Sequence, residues 1–158
     1  MAGERDSRNS NSHAPQSPAS KHRGTDSAGV RVPIKSDLDI IVARQRGREL
    51  AKELGFSGTD LTLIATAISE LARNIVLYAK AGEIVIGSVR RNSRNGITVE
   101  ARDQGPGIPD LRRALNDGFS TSRSLGLGLP GVRRLMDEVE ISSETNRGTT
   151  VRVKKWIL

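Results

Sequence analysis

The chain has 158 residues, of which 27% are charged and 35% hydrophobic, and its formal net charge is +7. This length leaves room for one domain and little more. The sequence contains no cysteine, which excludes disulfides, thiolate metal sites and cysteine nucleophiles. Both histidines, His13 and His22, lie near the N-terminus. The rest of the chain therefore cannot form a Ser-His-Asp triad, a histidine-ligated zinc site or a phosphohistidine.

The first 29 residues differ in composition from the remainder. They are rich in Ser and other small polar residues, and they contain no Ile, Leu, Phe, Trp or Tyr. Such a segment cannot bury enough apolar surface to offset the entropy of the chain. We therefore expect a disordered tail over residues 1–29 and one folded domain over residues 30–158.

The excess of positive charge indicates an anionic partner or a solvated basic surface. The basic residues occur in scattered pairs and form no continuous run. Only four residues are aromatic, too few for a base-stacking platform, so a nucleic-acid partner is disfavoured. No uninterrupted apolar run approaches the roughly 18 residues of a membrane span, and no apolar segment follows the N-terminus. We expect a cytoplasmic protein with no membrane partner.

Hydrophobic periodicity predicts two early helices, followed by strands and shorter helices. In chain order, the predicted elements are a strand over 30–34, helices over 36–54 and 59–79, strands over 83–91 and 97–103, a weak helix over 111–116, a helix over 130–137, and strands over 140–145 and 149–156. The four later strands form two hairpins, with loops at 92–96 and 146–148. This order is typical of an α+β two-layer sandwich, in which a mixed, largely antiparallel sheet carries helices on one face.

The second predicted helix carries the first candidate site. Five aliphatic residues at helical spacing form a stripe that should face the sheet: Leu61, Ile64, Ile68, Leu71 and Ile75. Glu70 and Asn74 lie four residues apart on another face, among apolar neighbours. A carboxylate and an amide one helical turn apart suit a metal or phosphate site, although a half-exposed surface pair is the more common arrangement.

Two glycine-rich segments follow. Residues 103–107 read Asp-Gln-Gly-Pro-Gly directly after a predicted strand, which predicts a tight turn that another group can approach closely. Asp103 could accept a hydrogen bond from an exocyclic amine there. Residues 126–131 match G-x-G-x-x-G and open a helix, so they form either an anion site or a hinge without a ligand. They do not follow a strand, as a Rossmann fingerprint would, and no His-Arg-Asp motif accompanies them.

The order of these motifs is the most informative feature of the sequence. E-x-x-x-N on a helix precedes D-x-G-x-G after a strand, then G-x-G at a helix start, then Gly148-Thr149 at a strand start. This order resembles the Bergerat ATP-binding fold of the GHKL superfamily. The segments SELARNIVLYAKAGEI, DQGPGIPD and GLGLPGVRRLMDEVEI look like those of the anti-sigma-factor serine/threonine kinases, and most of all the stressosome switch kinases. The resemblance covers about residues 30–158.

The resemblance implies a role for each motif. Glu70 would be the general base, and the amide oxygen of Asn74 would hold Mg²⁺. Asp103 would accept from the adenine amino group, assisted through water by Thr149. The residues that would bind ATP are Asp103, Gly105, Gly107, Arg123, Gly126, Gly128 and Thr149, with a short lid over 108–125.

The implied function is an ATP-dependent protein serine/threonine kinase. Its substrate would be a STAS-domain antagonist in a bacterial stress or sigma-factor partner-switching pathway. The alternative is a nucleotide-gated binding module that holds a sigma factor or a PP2C-type phosphatase and transfers no phosphate productively. Glu70 favours the kinase, because a pure binding module requires no base. A histidine kinase module would need a phosphoacceptor histidine on another protein.

Overall fold

The computed structural model describes residues 29–109 and 128–158. Within these ranges the chain forms five strands, three α-helices and one π-helical segment. In chain order they are β1 (Val30–Ile34), α1 (Asp37–Leu54), α2 (Thr59–Asn74), the π-helical segment (Ile75–Ala79), β2 (Gly82–Arg91), β3 (Arg94–Asp103), α3 (Gly128–Leu135), β4 (Glu138–Glu144) and β5 (Gly148–Trp156). Apart from Gly29, the predicted tail lies outside the described residues, as does the weak helix over 111–116.

The five strands form one sheet in the order β1-β2-β3-β5-β4. All four pairings are antiparallel, so the parallel component of a mixed sheet does not occur among the described strands. β5 lies between β3 and β4 although it follows both in sequence. After β3 the chain therefore forms β4 at the edge of the sheet first, and β5 then pairs with both strands in the space between them. The predicted α+β sandwich is confirmed.

The two faces of the sheet differ in chemistry. One face carries buried aliphatic residues such as Ile84, Val99 and Val153, and these pack in the same core as the buried residues of α1 and α2. Strand side chains alternate between faces, and the opposite face carries ion pairs. On that face Glu100 accepts hydrogen bonds from Arg102 and from Arg152. Burial raises the pKa of the Glu100 carboxyl, but these two arginines outweigh it and hold the pKa below its ordinary value.

The predicted bounds of α1 are confirmed. Ser36 lies just before the helix with extended backbone angles, and the carboxylate of Asp39 accepts hydrogen bonds from the backbone N–H groups of Lys35 and Ser36 at 2.8 and 3.1 Å. Such contacts satisfy donors that a helix start leaves unpaired. Gly55 then ends the helix in the left-handed conformation, with φ of +103°.

The first hairpin differs from its prediction. The loop expected over residues 92–96 is a two-residue turn at Asn92 and Ser93, whose φ angles are +49° and +65°. Positive φ at both positions is typical of a type I′ hairpin turn. Gly96 does not belong to the turn but lies within β3, opposite Trp156 of β5. A Cβ atom at Gly96 would lie 2.8 Å from Cε3 of that indole, so the glycine gives the ring its space.

The segment Thr59–Ala79 is the one stretch of the described residues that is long and apolar enough to cross a membrane by length and composition. It has 21 residues, and its most apolar stretch of 18 residues has a mean hydropathy of 1.3. Half of that stretch is buried inside the protein. The buried part includes the predicted stripe, whose five members are all in the core: Leu61, Ile64, Ile68, Leu71 and Ile75. The core helix of a folded domain has the same length and composition.

Gly47 brings α1 close to α2. It is buried in the middle of α1, and a Cβ atom there would overlap Cδ1 of Ile68. Glycine in a helix interior costs about 1 kcal/mol relative to alanine, so its presence here requires a compensating steric reason. The close approach of the two helices supplies that reason.

We therefore predict that Gly47→Ala lowers the free energy of unfolding, because overpacking costs about 1–3 kcal/mol and exceeds the gain in helix propensity. Ile68→Val removes the overlapping methyl group. The double variant should cost less than the sum of the single variants by at least about 0.5 kcal/mol. Urea denaturation measures all three, with Arg48→Ala on the exposed side of α1 as control. Strictly additive effects would contradict the steric explanation.

Candidate functional site

Glu70 is a buried carboxylate on α2, with 5% of its surface exposed. Its Oε1 accepts a hydrogen bond from Nη1 of Arg73 at 2.7 Å, one helical turn along α2. Its Oε2 accepts the backbone N–H of Gly128, the first residue of α3, at 3.3 Å. Glu70 is therefore not the half-exposed surface residue that its pattern also allowed. It joins α2 to the glycine-rich start of α3.

Asn74 marks a change of helix type. It is half-buried and is the last residue of α2, and the chain continues from it as the π-helical segment. The prediction of one regular helix over 59–79 is therefore wrong at its C-terminal end. Leu77 and Tyr78 of this segment are exposed, and Lys80 after it has φ of +69°. π-Helical turns are rare and occur frequently at functional sites.

Asp103 ends β3 in the middle of the sheet. It is half-buried and pairs with Gly82 on one side and with Thr149 on the other. Its Oδ1 accepts the backbone N–H of Gly105 at 2.9 Å, which closes an Asx-type turn. No described residue donates a hydrogen bond to Oδ2. Oδ1 of Asp103 thus shapes the loop that follows β3.

The loop after Asp103 lies between two neighbouring parts of the chain. Gly107 has φ of +78°, and a Cβ atom there would overlap the carbonyl oxygen of Glu144 at the end of β4. A Cβ atom at Gly105 would lie 2.7 Å from Cβ of Ala79, the last residue of the π-helical segment. The backbone N–H of Asn146 also donates to the carbonyl of Pro106 at 2.8 Å. The glycines therefore let the loop pack against its surroundings on both sides.

Ser143 of β4 connects three parts of this region and was not predicted from the sequence. Its Oγ accepts the backbone N–H of Ile108 at 2.7 Å and lies within hydrogen-bond distance of the carbonyl of Gly148, at 3.3 Å. The same Oγ lies 3.0 Å from Oγ1 of Thr149, and either atom can be the donor. No local pattern distinguishes Ser143 from Ser142, except that strand alternation points the two side chains to opposite faces.

Of the nine predicted site residues, seven lie in the described part of the chain. Two clusters contain six of them: Glu70 with Gly128, and Asp103 with Gly105, Gly107 and Thr149. Asn74 is the last residue of α2, directly before the π-helical segment whose last residue, Ala79, lies against Gly105, so this segment leads from α2 to the cluster around Asp103. Arg123 and Gly126 lie outside the described residues, as does the predicted lid beyond residue 109. α3 begins at Gly128, two residues before the predicted start.

The described residues contain no group of three or more His, Cys, Asp or Glu side chains that could hold a metal ion. A cation at Asn74 would thus have no cluster of three such side chains around it within the described residues. Mg²⁺ is commonly held in this way, by one or two protein oxygens together with phosphate oxygens and water. The side-chain amide oxygen of Asn74 would be one such protein ligand.

The histidine kinase-like ATPase domain family matches residues 35–155 of this sequence. The chain belongs to this family. It is 54% identical over 126 residues to the serine/threonine-protein kinase RsbT of Bacillus subtilis (strain 168), which covers 80% of this chain and 95% of that protein. It is also 35% identical over 102 residues to an anti-sigma F factor of Thermoanaerobacter sp. (strain X514), covering 62% of this chain and 71% of that protein.

A similar match is the anti-sigma F factor of Geobacillus kaustophilus (strain HTA426), 36% identical over 105 residues, which cover 62% of this chain and 70% of that protein. Membership of the histidine kinase-like ATPase family confirms the resemblance inferred from the four ordered motifs. The family match begins two residues before α1 and ends one residue before the end of β5, so it includes both clusters of predicted site residues.

We predict that Ser143→Ala loosens the loop over residues 104–108, because the N–H of Ile108 loses its acceptor. An unsatisfied group of this kind costs about 1–3 kcal/mol, so thermal denaturation should show a clear loss of stability. Hydrogen exchange should also be faster at Ile108. Ser142→Ala, on the exposed neighbouring position of β4, is the matched control and should change neither. Equal behaviour of the two variants would exclude this role for Ser143.

Proposed function

We propose that this protein is an ATP-dependent protein serine/threonine kinase of the cytoplasm. Its proposed substrate is a STAS-domain antagonist protein in a bacterial stress or sigma-factor partner-switching pathway. The observation that carries the proposal is the buried carboxylate of Glu70 held against the first N–H of α3, in a chain 54% identical to a serine/threonine-protein kinase. A nucleotide-binding module alone has no need of a base at this position.

The adenine would bind beside Asp103. Its exocyclic amine is a donor and would meet Oδ2, while Oδ1 keeps the turn with Gly105. Thr149 pairs with Asp103 across the sheet, so its hydroxyl could hold a water molecule at the same edge. Gly107 carries no side chain that would compete for this space. This donor and acceptor set fits a purine with an amino group.

The phosphates would bind at the start of α3. The backbone N–H of Gly128 and that of Gly126 would be donors to them, because helix starts favour anions. Arg123 would supply positive charge from the end of the lid. Asn74 would hold Mg²⁺ through its amide oxygen, and the bound ion would neutralise part of the charge on the phosphates.

In the proposed reaction, the hydroxyl oxygen of a serine or threonine of the partner protein forms a bond to the γ-phosphorus of ATP. The bond from that phosphorus to the bridging oxygen breaks, and ADP leaves with the bonding electron pair. Glu70 takes the hydroxyl proton on Oε2, the oxygen that lies at the start of α3. Burial excludes bulk water from this proton transfer.

The direct test is incubation of the protein with MgATP and the STAS-domain proteins of its own genome, followed by mass spectrometry for phosphoserine and phosphothreonine. We expect one site of modification on one or a few of these proteins. If none is modified while ATP binds, the alternative is favoured, namely a nucleotide-gated module that binds a sigma factor or a PP2C-type phosphatase. The similarity to anti-sigma F factors makes this the second candidate function.

We predict that Asp103→Asn weakens ATP binding about tenfold or more, because a hydrogen bond to a charged acceptor contributes roughly 1.5–3 kcal/mol. The amide replaces one acceptor oxygen with a donor that would face the adenine amine. Isothermal titration calorimetry measures the change. Asp37→Asn, at the start of α1 and exposed, is the matched control. Unchanged affinity in the Asp103 variant would exclude the adenine assignment.

We predict that Glu70→Gln and Asn74→Ala separate chemistry from binding. Glutamine keeps the shape of Glu70 and loses its basicity, so phosphotransfer should fall by roughly 10²-fold or more while ATP still binds. Asn74→Ala should weaken binding of MgATP and leave binding of metal-free ATP less affected. Phosphotransfer and calorimetry with and without Mg²⁺ give both readouts. Full phosphotransfer by the glutamine variant on a verified substrate would disprove the base role.

A further inference from the structure

Arg73 is the charged partner of Glu70. The two residues are three apart on α2, and Nη1 of Arg73 lies 2.7 Å from Oε1 of Glu70. Their exposure differs, because 7% of the Glu70 side chain and 37% of the Arg73 side chain are accessible. The carboxylate is therefore buried while the guanidinium reaches the surface. Arg73 is not one of the predicted site residues, and the proposed function above gives it no role.

The two oxygens of Glu70 have unequal partners. Oε1 takes part in a short charge-assisted hydrogen bond, which is the stronger kind. Oε2 accepts a longer hydrogen bond of 3.3 Å from a neutral backbone N–H. That N–H belongs to Gly128, one of the groups proposed to bind phosphate. A phosphate that takes this N–H leaves Oε2 without its partner, whereas the bond of Oε1 to Arg73 persists.

We propose that Arg73 is a positioning residue for Glu70, with two effects on the site. It fixes the carboxylate by Oε1, so that Oε2 is the oxygen presented to the attacking hydroxyl. It also offsets the charge of Glu70, because a buried carboxylate beside a polyphosphate would otherwise repel it. This inference rests on the proposed function for the first effect, and only on nucleotide binding for the second.

The test is a double-mutant cycle on ATP affinity. In R73M the carboxylate of Glu70 lacks its countercharge, and we expect ATP to bind about tenfold more weakly, within the range of coupling between contacting charged residues. In E70Q there is no charge to offset, so adding R73M should change the affinity less than about twofold. R73K restores the charge and should recover most of the affinity.

Phosphotransfer provides the second readout. R73M should lower kcat by at least about tenfold at saturating ATP, because Glu70 is no longer held in one orientation. R73K should keep near-normal ATP affinity with a reduced kcat, since an ammonium group supplies the charge without the geometry of the guanidinium. R152M is the matched control, because Arg152 is a half-exposed arginine that pairs with Glu100 on the outer face of the sheet.

Two results would overturn the proposal. Equal loss of ATP affinity when R73M is made in the wild type and in E70Q would mean that Arg73 acts on the nucleotide without Glu70. Wild-type affinity and kcat in R73M would mean that the ion pair has no role. Circular dichroism checks folding, and R73Q replaces R73M in the same cycle if the methionine variant is unfolded. Failure of the kinase proposal is recognised separately, by the absence of phosphotransfer from the wild-type protein to any STAS-domain protein, and it leaves the affinity cycle interpretable.

Discussion

The pairing of β3 with β5 is the contact on which the candidate site depends. β5 is the last strand in the chain, yet it occupies the position between β3 and β4. Its first residues therefore come to lie beside Asp103, the last residue of β3. Gly148 allows this approach, because its φ is +114° and any side chain there would overlap the carbonyl oxygen of Asp103. Asp103 and Gly148, which are 45 positions apart in the sequence, thus lie at the same end of the sheet.

A second constraint is the division of charge between the two faces of the sheet. On the outer face, the carboxylates of Glu83 and Glu100 form ion pairs with neighbouring arginines of the same face. The inner side is aliphatic, and among the described residues the only buried charged side chains are Glu70 and Lys155. Burying a charge is costly unless it is paired, so the position of Glu70 has required partners from both α2 and α3.

The sequence predicted those features that local patterns determine. The bounds of α1 follow from Ser36 and Gly55, and the stripe that begins at Leu61 identified the buried side of α2. The glycines at 105 and 107 indicated close backbone approach. Features that depend on tertiary neighbours were missed. Ser143 has no local signature, and Gly96 was interpreted as part of a turn because the indole that requires it is distant in sequence. The π-helical segment has no marker such as proline in IVLYA.

The π-helical segment also constrains how the length of this region can vary. A π-helical turn holds more residues than an α-helical turn, so each of the five residues Ile75–Ala79 rotates the chain by a smaller angle than a residue of α2 does. A substitution inside the segment alters individual contacts and leaves this rotation unchanged. Loss of a single residue would favour regular α-helical winding, in which the remaining four residues turn through roughly 400°, close to the turn of the five π-helical residues. The contact with Gly105 would then keep its place, whereas loss of a residue within α2 would rotate everything that follows by about 100°.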